Sequence, residues 1–432
     1  MSIFVQIASY RDPLLASTIS DLIEKANDPG NLQIVVCNQF HPEDPFNGEL
    51  EPYRKDERVR IIDVPYMESK GVCWARNLIQ QYYANEEYTL HIDSHMRFIP
   101  DWDSVMIGML QELQQQGSPK PILTTYPAHF DPEDFHLREA PANRIILTGF
   151  HNDEVFPMCW PAEIPDWKAL DGPIPARFYA GGFSFTLGRL CLEVPHDPGL
   201  YFWGEEINIA VRAYTHGYDL FHPHINVVYH NYNRLKSVKH WTDHGSFDAN
   251  QIVPFRRLRK LFDPAANNTQ SAHMGVYGLG RQRTLRDYEK YTGLLLSEQK
   301  AQEYTLKNLT PPNPDIYITE EEWRGSFLSH VDNPITIPCS ALKEKDYQTA
   351  IMSFTANNHI VRELSYNKEE MAAMIRSGVY EISLNFSCKQ LPDAWALALY
   401  SASKGWNTAL RGRMPYFNKS LSGFSLKNGR TL

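Results

Sequence analysis

The sequence predicts an α/β protein in which a mostly parallel, doubly wound sheet is followed by a small β-rich C-terminal domain. Three observations predict it. Short apolar runs alternate with amphipathic, helix-length segments over roughly the first 125 residues, the pattern of βα units. The string Leu309-Thr310-Pro311-Pro312-Asn313-Pro314 then reads as a linker. Beyond it the apolar runs are short and β-like.

Ile3 to Ser9 is an apolar strand that ends in the polar turn Tyr10-Arg11-Asp12-Pro13. Leu14 to Ala26 carries Leu14, Ile19, Leu22 and Ile23 at helical spacing. Leu32 to Cys37 and Arg58 to Val64 are further strands. Gly71 to Tyr83 reads as a helix with Trp74, Leu78, Ile79 and Tyr82 on one face, and Ser69 is a candidate cap. Tyr88 to Ile92 is a buried strand, Ser104 to Gln115 an amphipathic helix and Ile122 to Tyr126 a strand. Pro127 to Pro175 is rich in Pro, Asp and His with weak periodicity, which suggests a long ordered excursion beside a site. Regular signals return with Phe178 to Leu187, a helix over Glu206 to His216, a strand end at Val227 to His230 and a helix over Arg281 to Gly293. The expected divisions are 1–305 for the α/β domain, 306–334 for a linker region and 335–432 for the β-rich domain.

The chain has 432 residues, 43% of them hydrophobic and 22% charged, enough to bury more than one core. A net charge of −9 argues against nucleic acid as a partner bound through the overall field. No apolar run approaches the ~18 residues of a membrane span. The start, MSIFVQIASY, lacks the basic region and cleavage site of a signal peptide. Cys37, Cys73, Cys159, Cys191, Cys339 and Cys388 are scattered without CxxC spacing, so we expect reduced, mostly buried thiols in a cytoplasmic protein.

The chemistry concentrates in YTLHIDSHMRFIPDWD, Tyr88 to Asp103. A buried strand there delivers Asp93-Ser94-His95 to its carboxyl end, where ligands of doubly wound sheets sit. In extended backbone, residues at i and i+2 face the same side, so Asp93 and His95 can reach one divalent ion. Arg11 and Arg76 are candidate cations for a diphosphate, or members of intramolecular ion pairs. Gly181 and Gly182 let backbone pass close to a ligand, or mark a bulge. Glu205 and Glu206 begin a helix; one is a candidate for hydrogen-bonding a substrate hydroxyl, the other complements the helix dipole. Asp103 reads as a helix-start residue. Trp160, Trp203 and Trp241 offer stacking faces or core packing.

Read in order, IASYRDP, GVCWARNL, HIDSHMRF, Phe178 to Phe185, Asp197 to Arg212 and His230-Asn231-Tyr232 resemble the GlcNAc-transferases typified by a cytoplasmic enzyme that modifies hydroxyproline of a protein. Gly278 to Leu294 fits as well, and the order of motifs is similar to the polypeptide GalNAc-transferases. The resemblance spans roughly residues 3 to 300 and omits the C-terminal domain. It implies a GT-A fold, with a Rossmann-like, mostly parallel sheet, and a UDP-sugar donor whose anomeric configuration is retained. It implies that Asp93, His95 and the distant His230 hold Mn²⁺ or another divalent cation, that Ser9 and Tyr10 border the uridine, and that UDP-GlcNAc is the donor. His222 and His224 form a competing pair, but their flanking prolines suggest a structural turn. The register favours Glu205 as the functional acid. The acceptor that the resemblance implies is a protein hydroxyl, of hydroxyproline, Ser or Thr; the alternative is a glycan or other non-protein acceptor. A non-catalytic carbohydrate-binding protein on the same fold is the third reading. The C-terminal domain is a candidate surface for a homo-oligomer.

Overall fold

The computed structural model describes residues 1–136, 139–150, 156–233, 237–245, 247–263, 271–331, 335–338, 342, 344, 346–376, 379–382 and 384–414. They divide into two units: Met1–Gln299 with Tyr304–Ile316, and Lys300–Glu303 with Tyr317–Leu432.

The first unit opens with β1 (Ile3–Tyr10), α1 (Leu15–Lys25), β2 (Leu32–Phe40), β3 (Val59–Pro65), α2 (Val72–Gln80), β4 (Tyr88–Asp93), β5 (Met96–Phe98), α3 (Trp102–Gln115) and β6 (Pro121–Thr124). β7 (Ala128–His129), β8 (Asn143–Phe150), β9 (Pro157–Glu163) and β10 (Ile174–Pro175) follow. Then come β11 (Phe183–Leu187), α4 (Leu190–Glu193), α5 (Glu205–Thr215), β12 (Asp219–His222), β13 (Val228–His230), α6 (His240–Asp243), α7 (Phe247–Leu261) and α8 (Leu285–Thr292).

Among the described residues, eight strands form one sheet in the order β10-β12-β6-β11-β4-β1-β2-β3. β1 pairs in parallel with β2 and β4, β2 with β3, and β6 with β12. β1 is apolar on both faces because helices cover both sides. Ile3, Val5 and Ile7 pack with Leu15, Ile19 and Leu22 of α1 and with Trp102, Met106 and Leu110 of α3. Phe4, pointing the other way, packs with Val35 and Cys37 and with Ala75 and Ile79 of α2. Each of these buried aliphatic side chains contributes about 1.5–3 kcal/mol relative to exposure. Asp103 anchors α3 to the segment after α1: its carboxylate accepts from Asn27 N at 2.8 Å and Asp28 N at 2.9 Å, a structural role, though not the helix-start one expected.

β11 departs from the parallel expectation, running antiparallel between β4 and β6, and β10 runs antiparallel to β12. The reversal of β11 has a local consequence. It sets the start of β11, and Gly181-Gly182 just before it, beside the carboxyl end of β4, where Asp93 N donates to Gly182 O at 3.2 Å. A second, small sheet has the order β5-β13-β7. Its antiparallel register sets His230 opposite Met96, and Asn231 N donates to His95 O at 3.1 Å. The excursion expected from Pro127 to Pro175 holds the β8–β9 hairpin.

Helix starts differ by a few residues from expectation, for local reasons. α2 begins after Gly71, whose φ of 103° and contact with the Tyr201 ring exclude a side chain. Ser69 does not cap α2 in the usual way; its hydroxyl bonds Gln39 Oε1 instead. α8 begins at Leu285 because Thr284 and Asp287 form a reciprocal capping box.

The string Leu309 to Pro314 is exposed at Leu309, Thr310, Pro312 and Pro314, as expected of a connector, but Pro311 and Asn313 are buried and tie it to the first unit. Arg177 is buried, and carbonyl oxygens satisfy its guanidinium. Nε donates to Thr292 O at 2.9 Å, Nη2 to Asn313 Oδ1 at 2.6 Å, and Nη1 to Leu309 O. Arg144 Nη1 likewise donates to Asn308 O at 2.9 Å.

The second unit holds β15 (Lys300–Gln302), which pairs with β16 (Phe327–Val331) and through it with β21 (Phe386–Cys388); β14 (Leu294–Leu295) belongs to the first unit. In chain order, α9 (Glu303–Leu306), which falls mostly in the first unit, and α10 (Glu320–Gly325), in the second, precede β16. β17 (Ile335–Pro338) pairs with β20 (Val379–Ile382). An antiparallel sheet runs β19-β18-β22-β23 over His359–Tyr366, Tyr347–Ala356, Ala394–Ser401 and Gly405–Arg413, with α11 (Lys368–Arg376) beyond β19. Met352, Phe354, Phe386, Leu397 and Leu399 form its core. The described cysteines Cys37, Cys73, Cys159, Cys191 and Cys388 are free, and all but Cys159 are buried; Cys339 lies outside the described residues. No described helix is long and apolar enough to cross a membrane.

Candidate active site and metal centre

Two strand ends and a turn meet at one point. β4 ends at Asp93, the turn after it presents His95, and β13 ends at His230. One ligand atom from each lies within 4.8 Å of the other two. His230 Nε2 is 3.2 Å and His95 Nε2 3.9 Å from Asp93 Oδ2. His95 is oriented from behind: its Nδ1 donates to Asp12 Oδ2 at 2.7 Å, which leaves the Nε2 lone pair facing Asp93. Asp12 also accepts from Ser94 Oγ at 2.6 Å. His230 is held by the Tyr232 ring, 4.1 Å away between centroids. Burial opposes ionisation of Asp93, but the His230 bond and the Arg76 charge outweigh it and hold the carboxyl far below its usual range.

These residues fit a divalent cation. The donors are one carboxylate oxygen and two imidazole nitrogens, a set suited to Mn²⁺ more than to an all-oxygen Mg²⁺ cage. The cradle is lined by glycine: a Cβ on Gly182 would stand 2.9 Å from Asp93 Oδ2. His222, the competitor for His230, is committed elsewhere. Its Nδ1 bonds Thr124 O at 2.8 Å and its Nε2 accepts from Ile145 N at 3.2 Å.

Arg76 joins the Asp93, His95 and His230 cluster to the start of α5. It is buried, and it bonds Asp93 Oδ1 at 2.9 Å and Glu205 Oε1 through its other nitrogen. Of the two readings the sequence left open, a cation facing a diphosphate or an intramolecular ion pair, the structure shows the second, since burial requires that charge to be matched by carboxylates. Glu205 is held ionised, about 2, because Arg76 and His196 overcome the effect of burial. Glu206 behaves oppositely. Burial raises its carboxyl to about 7, although Tyr126 Oη donates to Oε2 at 2.6 Å and Gly181 N to Oε1 at 2.7 Å. Neither acid is a plain helix-start charge. Glu205 is consumed by internal partners, whereas Glu206 keeps partial exposure. Gly181 separates the two, a Cβ there standing 3.3 Å from Arg76 Nη1.

At the end of β1, Ser9 is buried and its Oγ has no partner among the described residues. Tyr10 Oη donates to Asp243 Oδ2 at 2.7 Å. Arg11, with φ 47°, bonds Asp44 at 2.7 Å and Asp243 at 3.0 Å, so its charge is spent on an internal cluster that ties β1 to α6. The Tyr10 ring lies 4.9 Å from His240, which lines a cavity of about 290 Å³ with Ser69, Lys70, Tyr201 and His244. Burial lowers His240 to about 4, leaving a neutral imidazole wall. Trp203 packs edge-on against Phe247 at 4.8 Å and beside Phe255, within an aromatic cluster. Trp160 is 52% exposed.

Sequence reasoning missed Asp12, Gln80, Tyr126 and His196. Asp12 sat unassigned inside IASYRDP, and His196 in the string Pro195-His196-Asp197. His91 carried a signal, lying two residues before Asp93 on the same face of the strand.

No curated protein sequence matches the chain at a significant level. Among solved structures, it is similar to GalNAc-T7 with UDP, GalNAc and Mn²⁺, at 15% identity and a TM-score of 0.45, over 67% of this chain and 54% of that one. The chain thus spans about half the length of that relative. It is also similar to S. aureus TarS 1–349 in complex with UDP-GlcNAc, at 13% identity and a TM-score of 0.37, over 63% of this chain and 69% of that one. The family described as Glycosyltransferase (GlcNAc) matches residues 2–51 and 45–298, a span that takes in every strand end of the site, and the chain belongs to that glycosyltransferase family.

Proposed function

We propose that this chain is a metal-dependent, retaining transferase that moves GlcNAc from UDP-GlcNAc to a hydroxyl group, with hydroxyproline, Ser or Thr of a protein as acceptor. The observation that carries the reading is the convergence of Asp93, His95 and His230 at the carboxyl end of β4, in a chain of the GlcNAc family. A divalent cation held there supplies positive charge where negative charge collects on the departing diphosphate.

The chain's own residues supply the rest. Gly181 and Gly182 let bare backbone pass against Arg76, Glu205 and Asp93, where a side chain would crowd the carboxylates. The cavity beside Tyr10, with its imidazole and tyrosine walls and Lys70 at the rim, suits a nucleoside. Glu206, poised near neutral pH and partly open, is the acid we assign to the acceptor hydroxyl; Glu205 keeps Arg76 in place. Retention is served by a same-face displacement. The acceptor oxygen bonds the anomeric carbon on the side from which the phosphate oxygen departs, the acceptor proton passes to that phosphate oxygen, and UDP leaves. The residues assigned to this chemistry all lie within 1–305, the extent proposed for the catalytic domain. Free cysteines support a reducing, cytoplasmic setting.

The test is release of UDP from a panel of nucleotide sugars, with and without Mn²⁺ and with a hydroxyproline peptide. We expect metal-dependent release from UDP-GlcNAc above the other donors, stimulated by the peptide. Release from no donor would defeat the reading, and stimulation by a glycan alone would replace the acceptor.

A further inference from the structure

Asp93 is one end of a chain of buried polar groups. At the other end, Gln80 on α2 grips His196 twice: Oε1 accepts from His196 N at 2.8 Å, and Nε2 donates to His196 Nδ1 at 3.0 Å. The first bond fixes which way the amide points, so Nδ1 is an acceptor and the neutral ring carries its proton on Nε2. Burial keeps the imidazole neutral by lowering its pKa. Nε2 then donates to Glu205 Oε1 at 3.0 Å. The same oxygen receives Arg76 Nη1, and Arg76 Nη2 reaches Asp93 Oδ1 at 2.9 Å.

His91, His196 and Glu205 also have ligand atoms within 4.8 Å of one another, the spacing of a second metal site. The hydrogen bonds oppose that use. The Nε2 proton of His196 occupies the nitrogen nearest Glu205, and the Arg76 guanidinium already supplies the positive charge there.

We propose that Gln80 and His196 are positioning residues for the metal centre, holding Glu205 and Arg76 so that Arg76 occupies Oδ1 of Asp93 and leaves Oδ2 to the ion. The proposal rests on the reading of Asp93 as a metal ligand. Oδ2 is the oxygen near His230 Nε2 and His95 Nε2, so one fixed orientation of the carboxylate serves all three donors. Without His196, Glu205 is free to turn, Arg76 loses its second anchor, and Asp93 rotates.

The test is Mn²⁺ titration of the full chain, read by the paramagnetic resonance of free Mn²⁺, beside the thermal midpoint in chelator. His196→Ala should weaken binding ~10–100-fold, the usual effect of losing an outer-sphere partner. His196→Gln, which keeps a donor near Glu205, should restore most of it. Gln80→Met, which keeps bulk but frees the imidazole, should weaken binding in the same direction and decides the matter if His196→Ala does not fold. Wild-type affinity in a folded His196→Ala or Gln80→Met protein overturns the positioning role alone. Wild-type binding that Asp93→Ala leaves unchanged, or no binding at all, overturns the metal reading and this proposal with it.

Discussion

Gly182 passes so close to Asp93 that a Cβ would stand 2.9 Å from Oδ2 and 3.9 Å from His230 Cδ2. The carboxylate cannot yield easily, because Arg76 holds Oδ1 and His230 faces Oδ2. A single methyl group therefore tests the site without touching any donor. Gly182→Ala should reduce Mn²⁺ affinity and turnover together, each by ~10-fold or more, while changing the unfolding free energy by less than about 2 kcal/mol. Unchanged metal titration would place the ion elsewhere.

Asp93→Ala and His230→Ala should each lower UDP-sugar turnover by at least ~100-fold, the scale of losing one stabiliser of developing charge. His222→Ala is the counterpart. Its ring links Thr124 O and Ile145 N, so this variant should lower the thermal midpoint and leave metal affinity intact. The reverse pattern, measured by calorimetry and metal titration on the same preparations, would move the ligand role to His222.

Asp12→Asn isolates orientation from charge contact, since Asp12 touches His95 Nδ1 and Ser94 but is not one of the three clustered donors. The amide can donate to Nδ1, which turns the imidazole tautomer so that Nε2 carries the proton and no longer offers a lone pair. We expect Mn²⁺ affinity to fall ~10–100-fold with the fold retained. Circular dichroism and metal titration check the two halves.

Glu206 gives a pH dependence with a definite sign. Its carboxyl rises from 4.5 to about 7, mainly through burial, so the folded chain binds this proton more tightly than the unfolded chain. The stability it contributes is complete below the unfolded value and is lost as pH rises through about 7. The loss is at most about 3 kcal/mol. Urea denaturation from pH 5 to 8 should therefore show a falling limb that Glu206→Gln flattens. A Glu205→Gln variant should not flatten it, because that carboxyl is already ionised across the range.

What could be read in the sequence follows from sequence distance. Asp93 and His95 are two residues apart in a strand, and the side-chain period of extended backbone is enough to place them together. His230 required the pairing of β13 with β5, which no local pattern encodes, so only the order of family-like motifs pointed to it. Asp12 meets His95 across 83 positions and Gln80 meets His196 across 116, and neither carries a local signal. Arg11 and Arg76 were legible as cations facing either a diphosphate or an internal carboxylate, but the choice was not, because their partners Asp44, Asp243 and Glu205 arrive from other elements. The antiparallel β11 was hidden for a similar reason: an apolar run reads the same in either direction.

The proline string shows the same limit, and it can be tested. Pro311, Pro312 and Pro314 lack amide hydrogens, which argues for a connector, but exposure is not set by proline content. Here Asn313 is buried because Arg177 needs acceptors: burial lowers that guanidinium to about 10, and Asn313 Oδ1, Thr292 O and Leu309 O receive its protons. Asn313→Leu keeps the volume and removes the acceptor. It should destabilise the full chain by about 2–4 kcal/mol, the cost of leaving part of a buried cation unpaired. Asn313→Asp should be tolerated, because a carboxylate can pair with the guanidinium. Chemical denaturation, followed by a probe in the first unit, separates the outcomes. If Asn313→Leu unfolds like wild type, the segment behaves as a free connector and the bonds to Arg177 do not stabilise the fold.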